Sequence, residues 1–418
     1  MEAALSNPEK IKIPVFKNRN FLFLLISALF SAPGYYVYLI GAEWLMLSIS
    51  DNRFFFGMLF FAAAIPRLLL LTTGGLIADR FNKRTILFLS DISRVILIVI
   101  LLGFIWSDSI TAWYLLILAA LFGISDAFSY PALNSMTPML LEEEQLQRGN
   151  SFMQMTTQVS PILGPALGGT FIALLGFKGV FLIAAIMLLI ASIAVLFIRL
   201  KEEKNEVEKP SPWSDLKEGL AYARKNELVV SVVIMAFFLN FFFSGPLAIG
   251  LPIMVKDIFQ SDAVGLATVQ TSMGIGALIG AIILATITLK KPGVTVIVGL
   301  ITLGVLYTIT GLSYHLYVTA GLVAAMTLTT QFVNIPLITV LQQSTEKKML
   351  GRMMSFFMTV STGLVPVSFV VTSILIAVGV SIQTIIVCSG MVITLISIYM
   401  FRNKKLLRFT LSKEGVSR

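Results

Sequence analysis

Apolar runs of about 20 residues recur along most of this 418-residue chain, and each suffices to cross the roughly 30 Å hydrocarbon core of a bilayer as a helix. In hydrocarbon a backbone must satisfy its own hydrogen bonds, and uninterrupted runs of this length do so as helices. Hydrophobic residues make up 57% of the chain and charged residues only 13%, a balance that excludes a water-soluble enzyme. Breaks at polar or Gly/Pro clusters divide the chain into spans at residues 21–47, 54–78, 85–106, 112–133, 151–175 and 180–198. A second set follows at 228–255, 264–289, 294–312, 316–341, 353–378 and 382–401. The expected fold class is therefore an all-α membrane protein of twelve transmembrane helices in two six-helix bundles. The first apolar stretch is about twice the length of a secretory h-region, so it is expected to remain as a membrane helix.

The net charge of +9 sits in short segments between the apolar runs, not on one face, which points to membrane topology and not to nucleic acid. Of 31 Lys and Arg residues, 26 lie in segments on the N-terminal side of the membrane and three, Arg53, Lys178 and Lys256, on the other. Positive segments resist translocation, so both termini are expected in the cytoplasm of a bacterial cell, with the chain multi-pass in its membrane. The predicted organisation is a bundle over 1–198, a cytoplasmic linker over 199–226, a second bundle over 227–402 and a tail over 403–418. Trp213, Leu216, Leu220 and Ala223 near helical spacing predict a short amphipathic helix in the linker. Ser151-Phe152 and Ser355-Phe356 enter the fifth and eleventh spans at nearly the same offset as Gly74-Gly75-Leu76-Ile77 and Gly276-Ala277-Leu278-Ile279 in the second and eighth. A parallel duplication of six helices follows, with a site expected between the halves.

The lone Cys388 excludes an intrachain disulfide and a thiolate cluster, and reads as a small membrane-buried hydrophobe. No phosphate-loop pattern and no metal-spaced His or Cys set occurs, so no cofactor, metal or enzymatic activity is expected. The only histidine, His315, falls in a short external loop.

Two motifs carry a resemblance. Gly74-Gly75-Leu76-Ile77-Ala78-Asp79-Arg80-Phe81-Asn82-Lys83-Arg84, after the second span, resembles the loop of the major facilitator superfamily between its second and third helices. Gly75, Asp79, Arg80, Lys83 and Arg84 match; Ile77 replaces a Leu and Asn82 a Gly, a position that reads as a left-handed turn. The fifth span, with Gly164, Pro165, Gly168 and Gly169, resembles that family's antiporter motif, Ser151 and Ser160 standing for its earlier glycines. The runs around Ile65-Pro66-Arg67, Ser129-Tyr130-Pro131 and Ser244-Gly245-Pro246 are similar to those of bacterial exporters related to macrolide-efflux and enterobactin-export proteins. The resemblance implies a conformational gate at Asp79, a moving boundary at the fifth helix and a cavity lined by helices one, four, seven and ten. One departure stands out: proton-coupled drug antiporters of this family usually carry an arginine in the fourth helix, where this chain has Asp126.

Charges at bilayer depth are costly, so Glu43, Arg67, Asp91, Arg94 and Asp126 are functional candidates, and all lie in the first half. Glu43 and Asp126 are candidates for proton coupling, since a cavity carboxylate can load and release a proton as access alternates. Asp126 as a partner of Arg67 or Arg94 is the alternative, and Glu43 near the outer end of its span can instead reach interfacial water. Asp91 and Arg94, three residues apart, read as a structural ion pair. In the second half Asn240, Gln270, Gln331 and Asn334, among Phe237, Phe238, Phe241, Phe242, Phe243 and Tyr307, suggest an aromatic wall with a few amides. The resulting expectation is a monomeric secondary transporter in contact with membrane lipid. It exports an amphiphilic organic solute (a drug-like compound, macrolide or siderophore) by alternating access in exchange for protons. An uptake symporter, a facilitator and a non-transporting sensor are the alternatives on the same fold.

Overall fold

The computed structural model describes residues 15–199, 218, 220–224, 226–287, 289, 291–346, 349–401 and 407. Among the described residues there is no strand. The first four spans are α1 (Arg19–Ile49), α2 (Arg53–Arg80), α3 (Lys83–Trp106) and α4 (Ala112–Leu140). Their starts follow from side-chain caps: Asn18 accepts from the Asn20 and Phe21 amides, Asn82 from Thr85 and Thr111 from Tyr114, each relieving an orphan helix donor. Asn82 has φ −59°, so it caps α3 and makes no left-handed turn, a correction to the reading of that position.

The fifth and sixth spans form one helical run, Glu143–Leu196, of 54 residues. At 1.5 Å per residue that is about 80 Å, far more than a bilayer is thick. The run is broken at Gly176, whose φ of 66° and ψ of −170° belong to a region essentially open to glycine alone. Gly164 and Gly168 lie against Tyr36 and Ile40 of α1, and beyond the bend Phe181 and Met187 lie against Gly41 and Gly34. Both arms thus run along the same helix in opposite senses, as α5 (143–175) and α6 (177–196).

The seventh span, α7, joins Glu227–Leu239, Asn240–Ser244, Gly245–Ile253 and Met254–Ile258 end to end, the second and fourth segments widened into π-helix. The first widening has a visible cause. The Ser368 hydroxyl accepts from the Gly245 amide at 3.0 Å and donates to the Phe241 carbonyl, inserting itself where those two groups would otherwise pair, and Pro246 has no N–H to continue the ladder. The remaining spans are α8 (Ala263–Thr286), α9 (Pro292–Gly311), α10 (Leu316–Gln343), α11 (Leu350–Gly363 continued by Val365–Ala377) and α12 (Ile382–Met400). Eleven described runs are long and apolar enough to cross a membrane, and the bend at Gly176 resolves them into twelve helices. Cys388 sits on the outer surface of α12.

In the linker, Trp213 and Leu216 lie outside the described residues. Glu218 and residues 220–224 are helical, with Ala223 buried and Leu220 at the surface. This segment docks on the second half: Glu218 pairs with Arg352 at 2.5 Å, and the Tyr222 hydroxyl accepts from the Glu346 amide at 3.1 Å.

Lipid tails are as apolar as leucine, so helix association here depends on close backbone approach at small residues. Gly123 of α4 meets the backbone of Ala63 in α2, Gly276 of α8 meets that of Ala324 in α10, and Gly304 of α9 faces Gly390 of α12. The two six-helix halves meet along two seams. In one, Gly169 of α5 faces Ala263 and Ala267 of α8, and Ile162 faces Gly274. In the other, Gly57 of α2 faces Ser373 of α11 and the rings of Phe60 and Phe369 lie 5.4 Å apart. A methyl group at Gly123 collides with the Ala63 carbonyl, whereas one at Gly103 meets nothing within 4 Å. Gly123→Ala is expected to lower stability by about 1–3 kcal/mol, and Gly103→Ala to leave it unchanged or raised. Unfolding midpoints of the two variants in detergent check this, and equal effects would contradict the packing described.

Candidate functional site

Between the halves lies a cavity of about 410 Å³. Its walls are Tyr35, Tyr38, Leu39 and Ala42 from α1, Leu59 to Leu68 along one face of α2, Ala119, Phe122, Gly123 and Asp126 from α4, and Thr362, Val365, Pro366 and Phe369 from α11. Helices two and eleven therefore take the places expected of seven and ten, because the α2–α11 seam runs directly beside the opening. Tyr35, Tyr38 and Ala42 share a stripe at helical spacing, and Phe122 and Asp126 are one turn apart on α4. Tyr38 and Phe122 stack at 4.1 Å between centroids with ring planes 4° apart, closing the wall between α1 and α4.

The polar end of the cavity is an ionic network. Asp126 accepts a hydrogen bond from Arg94 Nη2 at 2.7 Å through Oδ1 and forms an ion pair with Arg67, whose Nε lies 2.9 Å from Oδ2. Arg94 also pairs with Asp91 at 3.3 Å, and Ser31 donates to Asp91 at 3.1 Å. The Arg94 guanidinium lies 5.6 Å over the Phe122 ring. Asp91 and Arg94 are buried in the packing of the first half and not at its periphery. Asp126, read from sequence as either a coupling carboxylate or an arginine partner, is clamped between two guanidiniums.

A second constellation bridges the halves. Glu43 of α1, 2% exposed, accepts from Gln270 Nε2 of α8 at 2.8 Å. Glu43 is thus covered by the opposite half and does not reach the interface with water. Farther along, at the face that carries the α1–α2 turn, Arg53 clasps Asp257 through two hydrogen bonds of 2.7 and 2.8 Å, and Lys256 donates to the Leu47 carbonyl. Every one of these contacts pins the end of α7 or α8 to the first half on that face.

Other sequence candidates lie elsewhere. Asn240 donates to Ala236 O at 2.9 Å at the start of the widened turn of α7; Gln331 packs on Gly280; Asn334 is exposed; none lines the cavity. The aromatic wall expected from Phe237 to Phe243 is displaced too: Phe237 is at the surface, and Tyr307 is buried against Phe243, donating to its carbonyl at 3.3 Å. The cavity takes its rings from Tyr35, Tyr38, Phe60, Phe122 and Phe369 instead, and the period-four pair Phe122 and Asp126 was the available signal. Gly164 and Gly168 seat α1 and Gly169 seats α8, with Pro165 between them, so this motif forms the joint where α5 meets both halves. In the loop motif Arg84 donates to the last-turn carbonyl of Leu196, a cation at a helix C-terminus, and Lys83 is half-buried. The side chains of Gly75, Asp79 and Arg80 lie outside the described residues.

The profile of the Major Facilitator Superfamily matches residues 24–369. The MFS-type transporter YfiS of Bacillus subtilis is 27% identical over 229 residues, 53% of this chain and 54% of that protein, so this match spans about half of each. Macrolide efflux protein A of Enterococcus faecalis is 24% identical over 67% of this chain and 88% of its own. The Staphyloferrin A transporter of Staphylococcus aureus is 25% identical over 92% and 96%. Among solved structures, a POT family transporter superposes with a TM-score of 0.72 at 13% identity, covering 94% of this chain and 97% of that one, a likeness of fold.

A cavity with this lining has the means to hold an organic solute by dispersion against ring faces and to orient it at one charged end. The two arginines differ in what they support. Loss of Arg94 strands Asp91 and half of Asp126 in a buried setting, so Arg94→Leu is expected to cost about 3–5 kcal/mol of stability. Arg67 is 46% exposed, so Arg67→Leu is expected to cost far less. Thermal unfolding of both variants in detergent provides the comparison, and a larger loss for Arg67 would contradict this network.

Proposed function

The chain belongs to the Major Facilitator Superfamily and is a multi-pass cell-membrane transporter; on that premise we propose that it exports an amphiphilic organic solute by alternating access in exchange for protons. The observation that carries the proposal is the Glu43–Gln270 hydrogen bond, a buried carboxylate joined across the two halves to an amide. An amide serves both protonation states of its partner: Nε2 donates to a carboxylate and Oε1 accepts from a carboxylic acid. Gln270 therefore suits Glu43 with or without its proton, where an arginine would fix it as an anion. Asp126, bound by two guanidiniums, is the poorer proton carrier and serves to hold Arg67 and Arg94 in place.

The face bearing the Arg53–Asp257 clasp is closed, and on the 26-to-3 distribution of Lys and Arg it is the outer one. Outward opening requires the two halves to part at Arg53–Asp257 and at Glu43–Gln270 together. Protonation of Glu43 keeps the second contact but turns a charge-assisted hydrogen bond into a weaker neutral one, which couples proton occupancy to the opening. The loop with Gly75, Asp79, Arg80, Lys83 and Arg84 would form the complementary gate on the inner face. Export, rather than uptake, is favoured by similarity to a macrolide efflux protein.

Everted vesicles carrying an inward-acid proton gradient test this reading. A panel of lipophilic cations, macrolides, siderophores and aromatic acids is added, and at least one compound is expected to dissipate the gradient only when the protein is present. Glu43→Gln, which preserves an amide partner for Gln270, is expected to reduce gradient-driven flux at least about tenfold while leaving solute binding intact. Unchanged flux in that variant would remove Glu43 from the coupling step.

A further inference from the structure

We propose that the solute is an organic anion whose oxyanion docks on the free end of the Arg67 guanidinium, with its apolar body between Tyr35, Tyr38, Phe60, Phe122 and Phe369. The inference rests on the cavity being the transport site and specifies what that site accepts. It follows from the balance of charge and of open donors at the polar end. Each carboxylate oxygen of Asp126 has a guanidinium against it, Oδ1 a hydrogen bond from Arg94 at 2.7 Å and Oδ2 an ion pair with Arg67 Nε at 2.9 Å. A cationic solute approaching Asp126 would meet two guanidinium charges at short range, since its carboxylate keeps open lone pairs but no unbalanced negative charge. Displacing Arg94, 3% exposed, would also strip Asp91 of its partner.

Donor capacity, by contrast, is open. Arg67 lines the cavity with 46% of its side chain exposed and spends only Nε on Asp126. Among the described residues its two Nη groups meet no acceptor. Asp126 holds the guanidinium by one edge and so fixes its plane, leaving the Nη end as a fork that matches a carboxylate in two parallel hydrogen bonds. Arg67, Arg94, Asp91 and Asp126 balance formally, so the cluster has no net charge with which to repel an anion. Among the described lining residues Asp126 is the single acid, and it lies against two guanidiniums. The ring faces exclude water from the contact, which strengthens it, and supply an apolar surface for the rest of the solute.

The test compares three probes of one shape and different charge: naphthylacetate, its neutral amide naphthylacetamide, and the cation naphthylethylamine. Dissociation constants are measured by calorimetry on the purified full chain in detergent, with no gradient. The acid is expected to bind about tenfold or more tighter than the amide, the scale of one charge-assisted hydrogen bond, and the amine weakest. Arg67→Gln is expected to erase the preference for the acid, and Arg67→Lys, which keeps the charge but not the fork, to restore part of it. Equal binding of acid and amide, tightest binding of the amine, no binding of the acid by folded wild type, or a preference that survives Arg67→Gln would each overturn the proposal. Transport is read separately in vesicles. A transporter that prefers the amine sinks only the anion assignment, whereas acid that binds but never crosses the membrane sinks only the transport reading.

Discussion

A charge inside a bilayer must be answered by another charge or a hydrogen bond, and in this protein that requirement organises the first half. Asp91, Arg94, Asp126 and Arg67 come from α2, α3 and α4, and their pairing fixes those three helices relative to one another at the depth of the cavity. Ser31 brings α1 into the same network. The buried members give rigidity, while the outermost, Arg67, remains half exposed with donors to spare. One network thus serves both as a brace and as the polar end of the cavity, the proposed binding site.

Among the described residues the second half shows no comparable network and is held by close approach. Gly276 against Ala324 and Gly304 against Gly390 bring backbones together where a larger residue would hold them apart. The division suits alternating access. In the proposed mechanism a braced half carries the charged end of the cavity, and a half packed through small residues slides against it along the α5–α8 and α2–α11 seams. The Ser368 insertion widens one turn of α7 and ties it to α11 within the second half.

Which residues of the site could be read in advance depended on what the bilayer penalises. Glu43, Arg67 and Asp126 stood out because a charge in an apolar run is conspicuous, and Arg67 and Asp126 do line the cavity while Glu43 sits at the seam. The aromatic wall did not stand out. Tyr35, Tyr38, Phe60, Phe122 and Phe369 are apolar residues in apolar helices, and lipid, packing and cavity faces all tolerate a ring equally. The cluster from Phe237 to Phe243 was more conspicuous, yet its residues face other helices or the surface, because the direction of a side chain depends on how α7 is rotated and widened. Asn82 shows the same limit on a smaller scale: its type announces a break, and only its backbone angle separates a cap from a left-handed turn.

The sequence by itself determined that the chain spans a membrane as helices, where most of those helices break, and which side chains carry charge into the apolar layer. These follow from composition along the chain and from the energetic demand that hydrocarbon places on every backbone and charged group. The tertiary structure decided the partners. It set Gln270 of one half against Glu43 of the other, placed both oxygens of Asp126 under two arginines, and left the outer end of Arg67 open. Such pairings join residues far apart in the chain and depend on the rotation of each helix about its axis. Lipid constrains that rotation weakly and packing at small residues constrains it strongly, so no periodicity within one helix reveals it.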